Sequence, residues 1–166
     1  MAPRFPIIWL TGNSGAGKTT LAYGAQRHFR DRASALPPII ILDGDEMRAS
    51  ISTAETLSAA DRRSHNLRVA RLASVLQAQG FLVVIAVIAP FRSVRREIDT
   101  ICRPQWIYVE RTGLDAPDRP YEAPEHPDCI IRTDHLSPEE GIAECSEYMT
   151  RIMLKKSPAL AAGIAV

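Results

Sequence analysis

Lysine is almost missing from this chain: Lys18, Lys155 and Lys156 stand against seventeen arginines. No Asn-Lys-x-Asp string of the guanine-reading kind occurs. Net charge is only +1, with 23% charged residues, so no global field points to nucleic acid or a membrane surface. Cysteine is scarce too. Cys102, Cys129 and Cys145 are odd in number and widely spaced, which fits reduced, mostly buried thiols better than a disulfide frame or a zinc site. His28, His65, His126 and His135 show no metal-ligand spacing. Long hydrophobic runs are absent: the longest, Phe81 to Pro90, falls short of the roughly 20 residues a spanning helix needs. With no signal pattern at the N-terminus, the expected location is the cytoplasm. No repeat or low-complexity linker divides the 166 residues, and 46% are hydrophobic. One domain over 1–156 is expected, with 157–166 a loose tail.

What is present alternates between short apolar runs and helical periods, the pattern of an α/β fold with a mainly parallel five-stranded sheet and helices on both faces. Strands are expected at Pro6 to Leu10, Pro38 to Leu42, Phe81 to Ala89, Gln105 to Val109 and Cys129 to Arg132. A helix is expected from Lys18 to about Arg32, with Leu21, Ala25 and Phe29 at helical spacing. The longest helix starts at Ser58, with Asp61 three residues on. Its stripe of Val69, Leu72, Ala73 and Leu76 continues back to His65 and Arg62, which should point toward the sheet's edge. Pro90 opens another helix to about Cys102. Its Arg92, Arg95 and Arg96 read as a solvated basic face, and Trp9 and Trp106 as aromatics at the core's edge. Ser137-Pro138-Glu139-Glu140 is a helix start with a cap, proline at N1 and a carboxylate at N3. Residues 111–128 hold four prolines and no period, and a loop that long in a compact domain points to function.

Gly12, Asn13, Ser14, Gly15, Ala16, Gly17, Lys18 and Thr19 satisfy G-x-x-x-x-G-K-[ST] in full, between a predicted strand and a predicted helix. Successive backbone N–H groups and the helix N-terminus form a concave anion site. Lys18 is placed to reach the β and γ phosphates of ATP, the Thr19 hydroxyl to join the coordination of Mg²⁺, and Thr20 to extend the nucleotide site. Such a loop serves switch GTPases, ATPases and kinases alike. The missing guanine motif and the short chain leave small-molecule kinases. Asp43-Gly44-Asp45 closes a strand expected to neighbour the loop's strand, where ligands bind in open α/β sheets. Two carboxylates there can divide the work, one orienting an attacking hydroxyl and the other helping to hold hydrated Mg²⁺. The same residues could cap a helix holding Met47.

WLTGNSGAGKTT, ILDGDEMR, LSAADRR, AVIAPFR, PYEAPEHPD and RTDHLSPEE, in that order, resemble the adenylylsulfate kinase family over nearly the whole chain to about residue 150. The resemblance implies a P-loop kinase that uses MgATP to phosphorylate the ribose 3′-hydroxyl of adenosine 5′-phosphosulfate, a small-molecule partner and a step of sulfate assimilation. It implies that Asp45 is the catalytic carboxylate and Asp43 its partner. Arg48 and Arg62 would hold the substrate's anionic group, and the backbone of Ile88, Ala89 and Pro90 would line its pocket.

The departures fall where substrate choice is made. Leu57 replaces a phenylalanine that stacks on the substrate's base, a contribution of about 1 to 3 kcal/mol. His65 replaces an asparagine that contacts the adenine, and Ala89 replaces a serine. The family's lysine-rich lid before the PYEAP stretch is largely missing. Arg111 is expected to keep a role beside the nucleotide, and Arg119 to stand in for a lid cation. Without a lid the enzyme would be slower, leak ATP hydrolysis, or lean on a partner or a homodimer. Two acceptors stay open: adenosine 5′-phosphosulfate, or a related nucleotide with a free 3′-hydroxyl such as cytidine diphosphoramidate. A catalytically degenerate nucleotide-binding module is the alternative of a different class, and the intact Lys18, Thr19, Asp43 and Asp45 oppose it.

Overall fold

A computed structural model describes residues 4–31 and 36–156. Five strands, β1 (Ile7–Thr11), β2 (Ile39–Asp43), β3 (Leu82–Ala86), β4 (Gln105–Glu110) and β5 (Cys129–Arg132), form one sheet. Every pairing is parallel, in the order β2-β3-β1-β4-β5. Five helices accompany them: α1 (Lys18–Arg30), α2 (Gly44–Ser50), α3 (Ala59–Ala78), α4 (Arg92–Ile101) and α5 (Pro138–Lys156). One apolar core lies between the sheet and α1 with α5, built on Leu21, Phe29, Ile107 and Met149. The other joins α3 and α4 to the opposite face through Trp9, Val69, Ile85 and Ile98. The two central strands, IIWLT and LVVIA, are buried at every position, which explains why neither alternates in polarity.

The expectation that β2 adjoins β1 is corrected. Strand β3 lies between them, pairing Val84 with Ile8 on one side and with Ile41 on the other. The reason is burial: β3 is apolar on both faces and takes the interior, whereas β2 is half-exposed at Ile39 and Ile40 and takes the edge. The third strand also ends sooner than expected, at Ala86. Beyond it the carbonyls of Val87, Ile88 and Ala89 are taken by the side chains of Trp9, Thr11 and Arg95, so they leave the ladder.

Local signals located both long-helix starts. Ser58 Oγ accepts from the Asp61 amide at 3.1 Å, although the Asp61 carboxylate turns to Thr56 instead of completing the box. At α5 the box is reciprocal: Ser137 Oγ accepts from the Glu140 amide and the Glu140 carboxylate accepts from the Ser137 amide. Helix α4 starts at Arg92, not Pro90, with its first amide donated to the Glu122 carboxylate at 2.7 Å. Arg95 is not on a solvated face. It is buried, donating to the Ala89 carbonyl at 2.6 Å and the Glu122 carbonyl at 2.5 Å. Trp9 likewise belongs to the core itself, fully buried against Trp106 at 5.2 Å between centroids.

All three cysteines are free, and burial pushes the Cys145 and Cys102 thiols up to about 12. Among the described residues no helix is long and apolar enough to cross a membrane. The expected tail, 157–166, lies outside the described residues.

Candidate active site

The strand order carries β1 into the middle of the sheet, so the loop leaving it opens between layers. Gly12 is required there because of close approach: a Cβ would sit 2.3 Å from the Val109 carbonyl oxygen. Gly17, at φ 104°, makes the turn into α1 in a conformation that other residues adopt only with strain. The Ala16 amide closes a tight turn onto the Asn13 carbonyl, and the Ala16 carbonyl accepts from the Thr133 hydroxyl. Asn13 is tied through its amide to Asp115 at 3.2 Å, joining the phosphate loop to the long loop 111–128.

Lys18 is buried and its ammonium donates to the carbonyls of Gly12 and Asn13, each at 2.8 Å. Burial lowers its pKa to about 8, against the opposing pull of Asp43 and Asp45. Thr19 donates its hydroxyl to Asp43 Oδ2 at 2.7 Å, linking the start of α1 to the end of β2. Asp43 Oδ1 meanwhile accepts from the Asp45 amide at 3.0 Å and caps α2. The capping expectation for Asp-Gly-Asp holds: Asp43 caps α2, while Asp45, exposed in the first turn of that helix, lines a cavity.

That cavity has a volume of about 400 Å³. Ser14, Gly15, Gly17, Lys18, Thr19 and Thr20 form its phosphate-loop end, with Arg111 beside them. Asp43 and Asp45 stand on its wall, and Arg48, Arg62, His65 and the backbone from Ile88 to Pro90 form the other side. Arg62 is buried, donates to the Leu57 carbonyl at 2.7 Å, and has its pKa lowered by burial and by neighbouring Arg48. Among the described residues neither guanidinium has a carboxylate within ion-pair distance, although Asp118 acts on Arg62 and Asp61 on Arg48 from further away. Arg111 lies 3.9 Å from Asp134 and remains half-exposed.

The far wall is held under strain. Ala89 adopts φ 47° while fully buried, a conformation costing about 1 to 3 kcal/mol for a non-glycine residue. Arg95 holds it there; the Ile88 carbonyl accepts from Thr11 and the Pro90 carbonyl from the Glu122 amide. Tyr121 completes the strap, its hydroxyl 3.0 Å from that of Thr11 and its ring stacked on Tyr108. The long proline-bearing loop is thus the clamp on the pocket's backbone.

Some expected residues do not meet the cavity. Leu57 is 64% exposed and is not among the residues lining the cavity. Arg119 lies outside the wall, 3.8 Å from Asp118. Gly12, Asn13 and Ala16 serve the loop's shape rather than its surface. Three others were missed. Asn66 lines the cavity and is buried, as its place one helical turn after Arg62 on the inner face of α3 could have suggested. Ser52 and Asp115 gave no signal, because both act only through residues distant in sequence.

The donor set suits Mg²⁺. The Thr19 hydroxyl and the Asp43 carboxylate are hard oxygens on the cavity wall, and among the described residues no cluster of three His, Cys, Asp or Glu could cage a metal without a ligand's help. A cation that keeps waters and takes phosphate oxygens, as Mg²⁺ does, fits that arrangement.

A family model described as adenylylsulphate kinase matches residues 4–111, ending where the long loop begins. The adenylyl-sulfate kinase of Paraburkholderia xenovorans (strain LB400) is 32% identical over 165 residues, covering 85% of this chain and 90% of that protein. The enzyme of the same name from Synechococcus sp. (strain JA-3-3Ab) is 31% identical over 176 residues, covering 90% and 94%. Among solved structures, the Mycobacterium tuberculosis APS kinase in complex with AMPPNP and APS superposes with a TM-score of 0.76 at 23% identity, over 89% of this chain and 99% of that one. A hexameric APS kinase from Thiobacillus denitrificans gives 0.72 at 28% identity, over 92% of this chain and 29% of that one. The chain has the P-loop kinase fold, and it belongs to the adenylylsulphate kinase family.

Proposed function

We propose that the protein transfers the γ-phosphoryl group of ATP to the 3′-hydroxyl of adenosine 5′-phosphosulfate, giving ADP and 3′-phosphoadenosine 5′-phosphosulfate. The observation that carries this reading is a single cavity with a phosphate loop at one end and two unpaired guanidiniums, Arg48 and Arg62, facing it from the other side. A triphosphate fits the first and a phosphosulfate the second, because both are anions that planar or preorganised donors recognise.

The backbone amides from Ser14 to Thr19 would cradle the β and γ phosphates. Lys18 would exchange two carbonyl partners for phosphate oxygens and regain full charge. Arg111 would flank the nucleotide. Thr19 and Asp43 would hold Mg²⁺, which when bound neutralises charge on the phosphates. Asp45 accepts the proton of the 3′-hydroxyl; its oxygen then bonds to the γ phosphorus as the bond to the bridging oxygen breaks and ADP departs. The transition state is loose, so Asp45 contributes mainly by orienting the hydroxyl. The strained backbone of Ile88, Ala89 and Pro90 shapes the acceptor's berth, with His65 at its wall and Leu57 beside its rim. A cytoplasmic location goes with this reading, since ATP is the co-substrate. Self-association does too, supported by the hexameric relative from Thiobacillus.

The direct test offers MgATP with adenosine 5′-phosphosulfate or with cytidine diphosphoramidate and follows ADP release, with phosphorus NMR to locate the new ester. The reading predicts turnover with the phosphosulfate and a phosphate on the 3′ carbon. Turnover with the cytidine compound alone moves the activity to that acceptor, and tight ATP binding with turnover on neither marks a binding module.

A further inference from the structure

Helix α2 brings Asp45 and Arg48 to the cavity, yet none of its seven residues is buried. It leaves β2, an edge strand of the sheet. Met47 is half-buried and packs against the core beneath α3 and α4. Burial of apolar surface therefore does little to fix where the Asp45 carboxylate stands.

Polar bonds from α1 supply what burial does not. Thr19, Tyr23 and Gln26 recur at i, i+4 and i+7, so they form one stripe along that helix. Thr19 donates to Asp43 Oδ2 at 2.7 Å, Tyr23 donates its phenol to Glu46 Oε1 at 2.8 Å, and the Gln26 amide donates to the Ile39 carbonyl at 2.9 Å. Gln26 thus grips the start of β2, Thr19 its end, and Tyr23 the helix that follows. The bond to Glu46 pushes the Tyr23 phenol up to about 12, so it stays a donor at any pH an assay would use. The Thr19 and Asp43 oxygens are the pair that suits Mg²⁺, and their mutual bond is open to exchange when a metal and phosphates arrive. Neither Tyr23 nor Glu46 lines the cavity, so their bond lies outside the space a ligand fills. Glu46 is the next residue after Asp45 in the same helical turn, and a shift of one carries the other with it.

Building on the kinase reading above, we propose that Tyr23 is a positioning residue that, through Glu46, holds α2 against α1 and so sets the distance from the Asp45 carboxylate to the phosphate loop. Its effect falls on turnover, because misplacing a group that orients the nucleophile by about 1 Å can cost about 10²-fold. ATP binding is left alone, since the phosphate loop keeps its own contacts.

The test measures kcat with MgATP and adenosine 5′-phosphosulfate, and ATP affinity, for Tyr23→Phe, Glu46→Gln, Glu46→Ala and the Tyr23→Phe/Glu46→Ala double variant. Amide exchange over residues 44–51 is followed in the nucleotide-free wild type and in Tyr23→Phe. If the cytidine compound is the acceptor used, it replaces the phosphosulfate. Tyr23→Phe keeps the ring's packing and should lower kcat about tenfold, short of the loss for a full ångström, with ATP affinity within twofold. Glu46→Ala should match it. Glu46→Gln removes the charge but keeps an oxygen that accepts from the phenol, so it should stay within twofold of the wild type. The double variant should be no slower than either single one, as expected of two partners in one bond. Amides of α2 should exchange faster in Tyr23→Phe. A Tyr23→Phe enzyme within twofold of the wild type, losses that multiply in the double variant, or a Glu46→Gln enzyme as slow as Glu46→Ala would overturn the proposal. So would a parallel loss of ATP affinity, the mark of a merely structural role. Absence of turnover with every nucleotide overturns the kinase reading instead, and amide exchange then decides whether Tyr23 holds α2.

Discussion

Lys18 carries a positive charge into a buried position and holds it there with two main-chain carbonyls. Burial depresses its pKa from 10.5 to about 8, so between those values the unfolded chain binds more protons than the folded one. Stability of the nucleotide-free protein therefore rises with pH across that window, by an amount on the order of 3 kcal/mol from the size of the shift, and has no Lys18 slope below it. Phosphate oxygens favour the ammonium, so ATP binding reverses the shift. Calorimetry at pH 8 should show net proton uptake on binding, and ATP affinity should weaken as pH climbs from 7 to 9.5. Lys18→Met should show neither effect. An affinity independent of pH in the wild type would remove Lys18 from the phosphates. This residue, with Thr19, was legible because the phosphate loop is a local string whose geometry travels with its sequence. Ser52 and Asn66 were not, since what distinguishes them is a partner on another turn or the lack of one.

Helix α4 and the end of β3 depend on one guanidinium. Arg95 forks between the carbonyls of Ala89 and Glu122, tying a strained strand end to the long loop. A lysine there keeps the charge but cannot make both bonds with the same planar geometry. Arg95→Lys should cost about 1.5 to 3 kcal/mol in urea unfolding, the range for hydrogen bonds from charged groups. If the strap shapes the acceptor's berth as proposed, KM for the acceptor should rise while KM for ATP stays within twofold. Equal rises in both would show that the strap stabilises the whole fold without shaping one end of the cavity.

The same elements show what could be read beforehand. The starts of α1, α3 and α5 were clear from glycine, serine and proline signals confined to a few residues. The edge position of β2, the early end of β3 and the burial of Arg95 were not, because each depends at least in part on partners more than twenty residues away. Arginine on a helix with a polar face reads as solvated until the carbonyls it serves are in place.

At the scale of the whole molecule, the cavity is one polar space between two apolar cores, and its charges couple folding to pH. His65, buried between α3 and Ser52, has its pKa lowered to about 4 by burial and by Arg48, against the pull of Glu55. A histidine depressed in the fold contributes stability above its unfolded pKa near 6.5 and loses it as pH falls toward 4, when the unfolded chain takes up the proton first. The contribution is on the order of 3 kcal/mol from the size of the shift. Urea unfolding at pH 7 and pH 4.5 should therefore lower stability more in the wild type than in His65→Asn. An equal loss in both would show that other groups carry the acid sensitivity.

In the proposed reaction an acceptor hydroxyl would lie at Asp45, opposite phosphates held by the loop and Lys18. The most direct measurement is kcat for Asp45→Asn with MgATP and adenosine 5′-phosphosulfate, taken with the variant's ATP affinity. Asparagine keeps the shape and removes the proton acceptor, so kcat should fall by about 10²-fold or more while ATP affinity stays within twofold. A variant that turns over within twofold of the wild type would contradict the account.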